Sequence, residues 1–156
     1  MDLLFWLEQS TLAQLVRVSL YPFVQIVHII SFAVLIGAIG IFDLRLLGYF
    51  PKLPIVEIAK SLLPLARHSF SFATLSGFLL FSAQPVVLVA NPMFQFKLLL
   101  IVLAGVNAVT FHVASFGSMK RWEQHTKVPT SARIIAVISL FLWVAIIACG
   151  RLIAYS

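Results

Sequence analysis

Charged side chains are scarce in this chain of 156 residues, since Asp, Glu, Lys and Arg together make up only 10% of it. Water-soluble domains carry about 25% charged residues, so this shortage excludes a soluble globular domain and a highly charged disordered chain. Cysteine is scarcer still, and the single Cys149 excludes a framework of disulfides within the chain. The sequence also lacks G-x-S-x-G, H-E-x-x-H, C-x-x-C and a glycine-rich phosphate loop, the motifs of common hydrolases and nucleotide-binding proteins.

Hydrophobic residues, by contrast, make up 62% of the chain, and the mean hydropathy is +1.07. Four long segments without charged residues follow one another, and each approaches the roughly 20 apolar residues that a transmembrane helix needs. We therefore predict an all-α fold in which residues 1–156 form one integral membrane domain, a four-helix bundle. The predicted spans are residues 20–42, 64–88, 96–117 and 132–153, preceded by an amphipathic interfacial helix at residues 1–17.

Proline positions set the expected ends of the second span. Ser61 is predicted to cap this helix with Pro64 in its first turn, a position that proline tolerates. Pro85 and Pro92 are predicted to end it and to form the turn into the third span.

The net charge of +6 comes from eleven Lys and Arg residues that are dispersed between apolar segments. A nucleic-acid partner is not expected, because such proteins cluster their basic residues on one solvated face. Eight of the eleven lie on one side of the predicted membrane, which should be the cytoplasmic side. We thus predict a bacterial inner-membrane protein with both termini in the periplasm. The eight are Arg45, Lys52, Lys60, Arg67, Lys120, Arg121, Lys127 and Arg133, and the other three are Arg17, Lys97 and Arg151.

Three of the four histidines, His28, His68 and His112, lie within predicted spans, whereas His125 falls in a basic connection and should be solvated. Ionisable side chains in hydrocarbon are costly and mark functional sites by default. With the predicted spans, His68 and His112 lie at a similar depth, and His28 lies about 12 Å from His112 along the membrane normal. Two imidazoles that face each other across a helical bundle suit the iron of haem b. We predict His112 and His68 as axial ligands, with His28 as the alternative ligand.

Other polar and small residues are predicted to support this site. Gly105 lies on the face of His112, where it either leaves room for a flat macrocycle or serves helix packing. Arg151 could pair with a haem propionate or a lipid phosphate, although an ordinary interfacial anchor is slightly favoured. His28 shares one helix face with Gln25 and Ser31, and we expect all three to face the interior of the bundle.

Several short stretches also resemble known families. His28 is followed by Gly37 and then by Arg45 at the helix end, and the third span opens with Lys97-Leu and closes near His112. This outline resembles small bacterial membrane proteins of the copper-resistance protein D type and the membrane-bound, haem-dependent protoporphyrinogen oxidase family. The resemblance implies haem binding, with these five residues in or near the cofactor site.

The leading hypothesis is a b-type haem protein that transfers electrons or, as a haem-dependent oxidoreductase, oxidises a lipophilic substrate such as a quinol. Its expected partners are the lipid bilayer, a quinone or another lipophilic substrate, and a membrane redox protein or a second copy of the chain. One alternative is copper or small-solute transport, for which Met93, Met119 and Cys149 are the soft ligands, although they lie at different depths. The other alternative is a non-catalytic structural subunit of a membrane complex.

Overall fold

The computed structural model describes residues 2–119, 122 and 128–155, and these residues are almost entirely helical, with no strand among them. The prediction of an all-α chain is therefore confirmed. A π-helical turn at Val16–Leu20 joins the second helix to the third, and 3₁₀ turns lie at Phe116–Ser118 and Ile153–Tyr155. The helices are α1 (Asp2–Glu8), α2 (Thr11–Leu15), α3 (Tyr21–Leu47), α4 (Ile55–Ala83), α5 (Pro85–Ala90), α6 (Pro92–Ser115) and α7 (Thr130–Leu152).

Three helical stretches are long and apolar enough to cross a membrane, namely Thr11–Leu47, Pro92–Ala114 and Thr130–Tyr155. Their length and composition indicate a membrane protein. Helix α4, with 29 residues, is also long enough to cross a membrane. Its five serines and its charged residues Glu57, Lys60 and Arg67 make it less apolar than these three stretches. Its role as a fourth span stays a prediction.

Helix α4 begins at Ile55, well before the predicted start, so Pro64 lies inside the helix and not in its first turn. The prediction of a helix that starts at Ser61 is wrong for a physical reason. Ile55 and Ala59 are buried in an apolar cluster, and this packing stabilises the early turns although proline removes one backbone hydrogen bond.

The interfacial helix predicted at residues 1–17 is divided in two. Ser10 separates α1 from α2, and its hydroxyl accepts a hydrogen bond from the Ala13 amide at 3.2 Å, as an N-cap residue does. Helix α2 then continues through the π-helical turn into α3. The second half of the predicted interfacial segment is therefore an extension of the first long helix.

The long helices pack in pairs: α3 lies against α4, α6 lies against α7, and α7 also contacts α3. At one end of the bundle, α3 stops at Gly48, whose φ of 104° is readily adopted only by glycine. Two apolar clusters fill the interfaces. The cluster near this end contains Phe42, Leu46, Ile55, Ala59, Phe111, Met119, Ala132 and Ala136. The more central cluster contains Leu35, Ala38, Ala66, Ala104, Leu142, Trp143 and Ile146.

Candidate functional site

His28 is half-buried on α3 and faces α4. Its Nδ1 atom lies 2.9 Å from the carbonyl oxygen of Ala73 and 3.1 Å from Oγ of Ser76. Because a carbonyl oxygen only accepts hydrogen bonds, Nδ1 carries the proton and donates it. In the neutral form of the ring, Nε2 is then unprotonated and keeps its lone pair. The imidazole is thus oriented by α4, with its other nitrogen available to a ligand.

The surroundings of His28 leave little freedom for its ring. A methyl group in place of the Gly77 hydrogen would lie only 3.1 Å from Cε1 of His28. The ring of Phe32 is stacked on the imidazole with centroids 6.3 Å apart, and Trp143 meets Phe32 edge-on at 6.0 Å. Glycine and two aromatic residues therefore hold the imidazole in place.

Lys97 is a half-buried cation near this histidine. It lies on α6 within electrostatic range of both His28 and Cys149, and a methyl group at Gly150 would lie 3.5 Å from its Nζ atom. Among the described residues, no carboxylate lies within ion-pair distance of Lys97. A partly desolvated ammonium without a counter-ion is unfavourable, so this position suits an anionic group. We call His28, Ser76, Gly77 and Lys97 the His28–Lys97 site.

The structure does not bring His68 and His112 together. Both side chains are exposed. His68 lies on α4 and His112 on α6, and these two helices do not form a packed pair in the described chain. Phe111, which precedes His112, contacts Phe42 of α3 with ring centroids 5.4 Å apart. His112 therefore lies at the level of Phe42 along the bundle axis. His68 lies about 10 Å away from that level along the bundle axis, as judged from the helical rise. The expected similar depth fails because α4 starts at Ile55, which puts His68 near its middle. Ligation of haem by these two residues stays a prediction that requires a second copy of the chain.

Four further predicted site residues lie elsewhere. Gly37 and Gly105 are exposed, and nothing lies within 4 Å of the position of an added Cβ atom. Arg45 holds the α3–α4 connection, because its Nε donates to the Leu53 carbonyl at 2.7 Å. Arg151 donates from Nη2 to the Tyr155 hydroxyl at 2.8 Å and is exposed. Only Lys97 of the predicted supporting residues therefore lies near a histidine.

Two other sequence predictions concern Gln25 and His125. Gln25 is exposed, whereas Ser31 is half-buried, so Gln25 does not line the interior with His28. His125, expected to be solvated, lies outside the described residues.

Sequence reasoning missed Asp43, which is only 5% exposed near the end of α3. The buried Ser139 of α7 places its hydroxyl beside this carboxyl group, but Oδ2 has no hydrogen-bond partner among the described residues. The signal that could have revealed it is the Arg45 that follows two positions later, because the two side chains point to different sides of the helix.

The close approach at Gly77 gives a testable difference between glycines. Alanine in place of an exposed helical glycine stabilises by about 0.5–1 kcal/mol, so Gly105→Ala should raise the melting temperature by about 2 °C. Gly77→Ala should show no increase or a decrease, because its methyl group meets His28 at 3.1 Å. Thermal unfolding in detergent measures both, and an equal rise would contradict the contact.

A comparison with known protein families finds one match: the model of a family of unknown function, DUF6644, matches residues 4–156. No curated protein matches the chain, and no solved structure does either. The resemblance to the copper-resistance and protoporphyrinogen oxidase families stays a prediction.

Proposed function

We propose that this chain, which belongs to the DUF6644 family, is a membrane-embedded haem b protein in which His28 provides an axial nitrogen. The observation that carries the proposal is the hydrogen bond from His28 Nδ1 to the Ala73 carbonyl. Histidines that bind metals usually donate their second ring N–H to a carbonyl or carboxylate, which fixes the tautomer and the ring orientation. The same arrangement leaves Nε2 of His28 free to bind iron.

Lys97 supports the same ligand. Haem carries two propionate groups, and a half-buried ammonium without a carboxylate partner is suited to pair with one of them. Phe32 adds an apolar surface beside the imidazole. One nitrogen ligand, one cation and an apolar surface therefore fit the three chemical parts of the cofactor.

The number of histidines at the proposed haem site favours substrate oxidation over simple electron transfer. Within the described chain no second histidine lies beside His28, so a haem held here would have a single histidine ligand from this chain. When bound, the haem would supply one-electron redox chemistry, and a position without a histidine favours oxidation of a lipophilic substrate such as a quinol over simple electron transfer. Electron transfer through two histidine ligands would require His68 or His112 of a second copy.

The proposed location is a bacterial inner membrane, with α3, α4, α6 and α7 as four spans and both termini in the periplasm. The distribution of Lys and Arg supports this orientation. Reporter fusions after Pro92 and after Ser156 should read as external, and a cytoplasmic signal from both would reverse it.

The visible spectrum of the full chain, purified in detergent from haem-replete cells, tests the proposed function. We expect a Soret band that shifts when carbon monoxide is added to the reduced protein, because the open position accepts it. Sharp α and β bands that carbon monoxide leaves unchanged would indicate two histidine ligands. A colourless protein that also fails to bind added haemin would contradict haem binding altogether.

A further inference from the structure

We propose that a basic pocket, at the end of the bundle opposite the His28–Lys97 site, binds a phosphate-bearing anion. The pocket has a volume of about 830 Å³ and lies between the α3–α4 connection and the start of α7. Three of its lining residues are the cations Arg45, Lys52 and Arg133, and none of its described lining residues is acidic. We call this the Arg45–Arg133 pocket.

Backbone carbonyl groups hold the two arginines of the pocket in place. Arg45 donates from Nε to Leu53 at 2.7 Å and from Nη2 to Pro51 at 3.4 Å. Arg133 donates from Nη2 to the Leu47 carbonyl at 3.3 Å. A guanidinium has five N–H donors, so each arginine retains donors for a further acceptor. No ion pair among the described residues neutralises either charge.

The start of α7 adds donors to the same pocket. Thr130 lines it and is the first residue of α7, whose preceding residue, Pro129, makes no side-chain cap. The first amides of a helix lack partners within the helix, and they complement negative charge. These groups add to the attraction that the three cations already provide.

The pocket walls suit an anion that carries an apolar part. Trp122, Leu53 and Ile55 line it beside the cations. Basic pockets at the cytoplasmic ends of transmembrane helices bind the headgroups of anionic lipids, and the predicted orientation puts this end in the cytoplasm. The shared chemistry is a phosphate group, whose source is an anionic phospholipid or a free phosphate compound.

Thermal unfolding of the full chain in detergent tests the pocket. Phosphatidylglycerol should raise the melting temperature of the natural sequence by about 5 °C, because a ligand that binds only the folded state stabilises it. Lys52→Gln and Arg133→Gln should each reduce this shift by at least about half. Lys60→Gln is the matched control, because it removes one charge from an exposed part of α4 that does not line the pocket.

The additives separate the two sources of phosphate. A shift with phosphatidylglycerol but not with inorganic phosphate assigns the pocket to a lipid, and a shift with inorganic phosphate that the same variants reduce assigns it to a free phosphate. Arg133→Lys retains the charge and should keep most of the shift even if Arg133→Gln unfolds. An equal shift with phosphatidylcholine, an equal shift in all variants, or no shift with either phosphate source would overturn the proposal.

Discussion

Replacing His28 by alanine is expected to lower the haem content of the purified protein by at least about tenfold, since loss of a group that merely orients a metal ligand already costs 10–100-fold in affinity. In the proposed haem site the His28 imidazole would supply the nitrogen ligand, because its Nδ1 donates to the Ala73 carbonyl and leaves Nε2 for iron. The ratio of Soret to protein absorbance measures the loss. Added imidazole should restore the band in a His28→Gly variant, because the side-chain space is then open to the free base.

Variants of His68 and His112 distinguish this assignment from the one that the sequence suggests. His68→Ala and His112→Ala should keep most of the pigment, because both side chains are exposed on helices that do not pack together. Should His112→Ala lose the pigment while His28→Ala keeps it, the axial ligand would be His112 and the His28–Lys97 site would have another role.

The sequence predicts most of the fold because membrane helices have a strong signature. Charge-free segments correctly indicate α3, α6 and α7, which are the three helices that are long and apolar enough to span a membrane. The start of α4 is not predictable in the same way. Residues 55–63 contain Glu57 and Lys60, and they are helical because Ile55 and Ala59 pack against α3 and α7, which is tertiary information.

The candidate site is predictable only in part. His28 is recognisable from the sequence because an ionisable residue in an apolar segment is unusual. Lys97 becomes a candidate only through the resemblance, in which a Lys-Leu pair opens the third span. Their partners Ser76 and Gly77 are not recognisable from the sequence, because contact between α3 and α4 depends on the rotation and register of each helix. The same limit explains the exposed positions of His68 and His112. Because the predicted start of α4 is too late, the predicted depth of His68 is wrong. In addition, no spacing rule shows which side of a helix meets a neighbour.

Replacing Asp43 by asparagine is expected to stabilise the protein. The carboxylate is 5% exposed, and no cation lies within ion-pair distance among the described residues. A buried carboxyl group either carries an unpaired charge, which costs several kcal/mol, or takes up a proton to avoid that cost, whereas asparagine is neutral at every pH and keeps an oxygen beside Ser139. We expect a gain of about 1–3 kcal/mol, or a rise of about 3–10 °C in melting temperature. Thermal unfolding in detergent at neutral pH measures the change.

Ser139→Ala is the matched variant, for which we expect a change in melting temperature of the opposite sign. It removes the polar hydroxyl beside Asp43, so the buried carboxyl group loses a favourable neighbour and the melting temperature should fall. If Asp43→Asn lowers stability as much as Ser139→Ala does, the expectation that an unpaired charge at Asp43 destabilises the bundle is wrong. A rise for Asp43→Asn instead means that the chain retains a destabilising carboxylate inside its bundle, as proteins do where an ionisable group serves function.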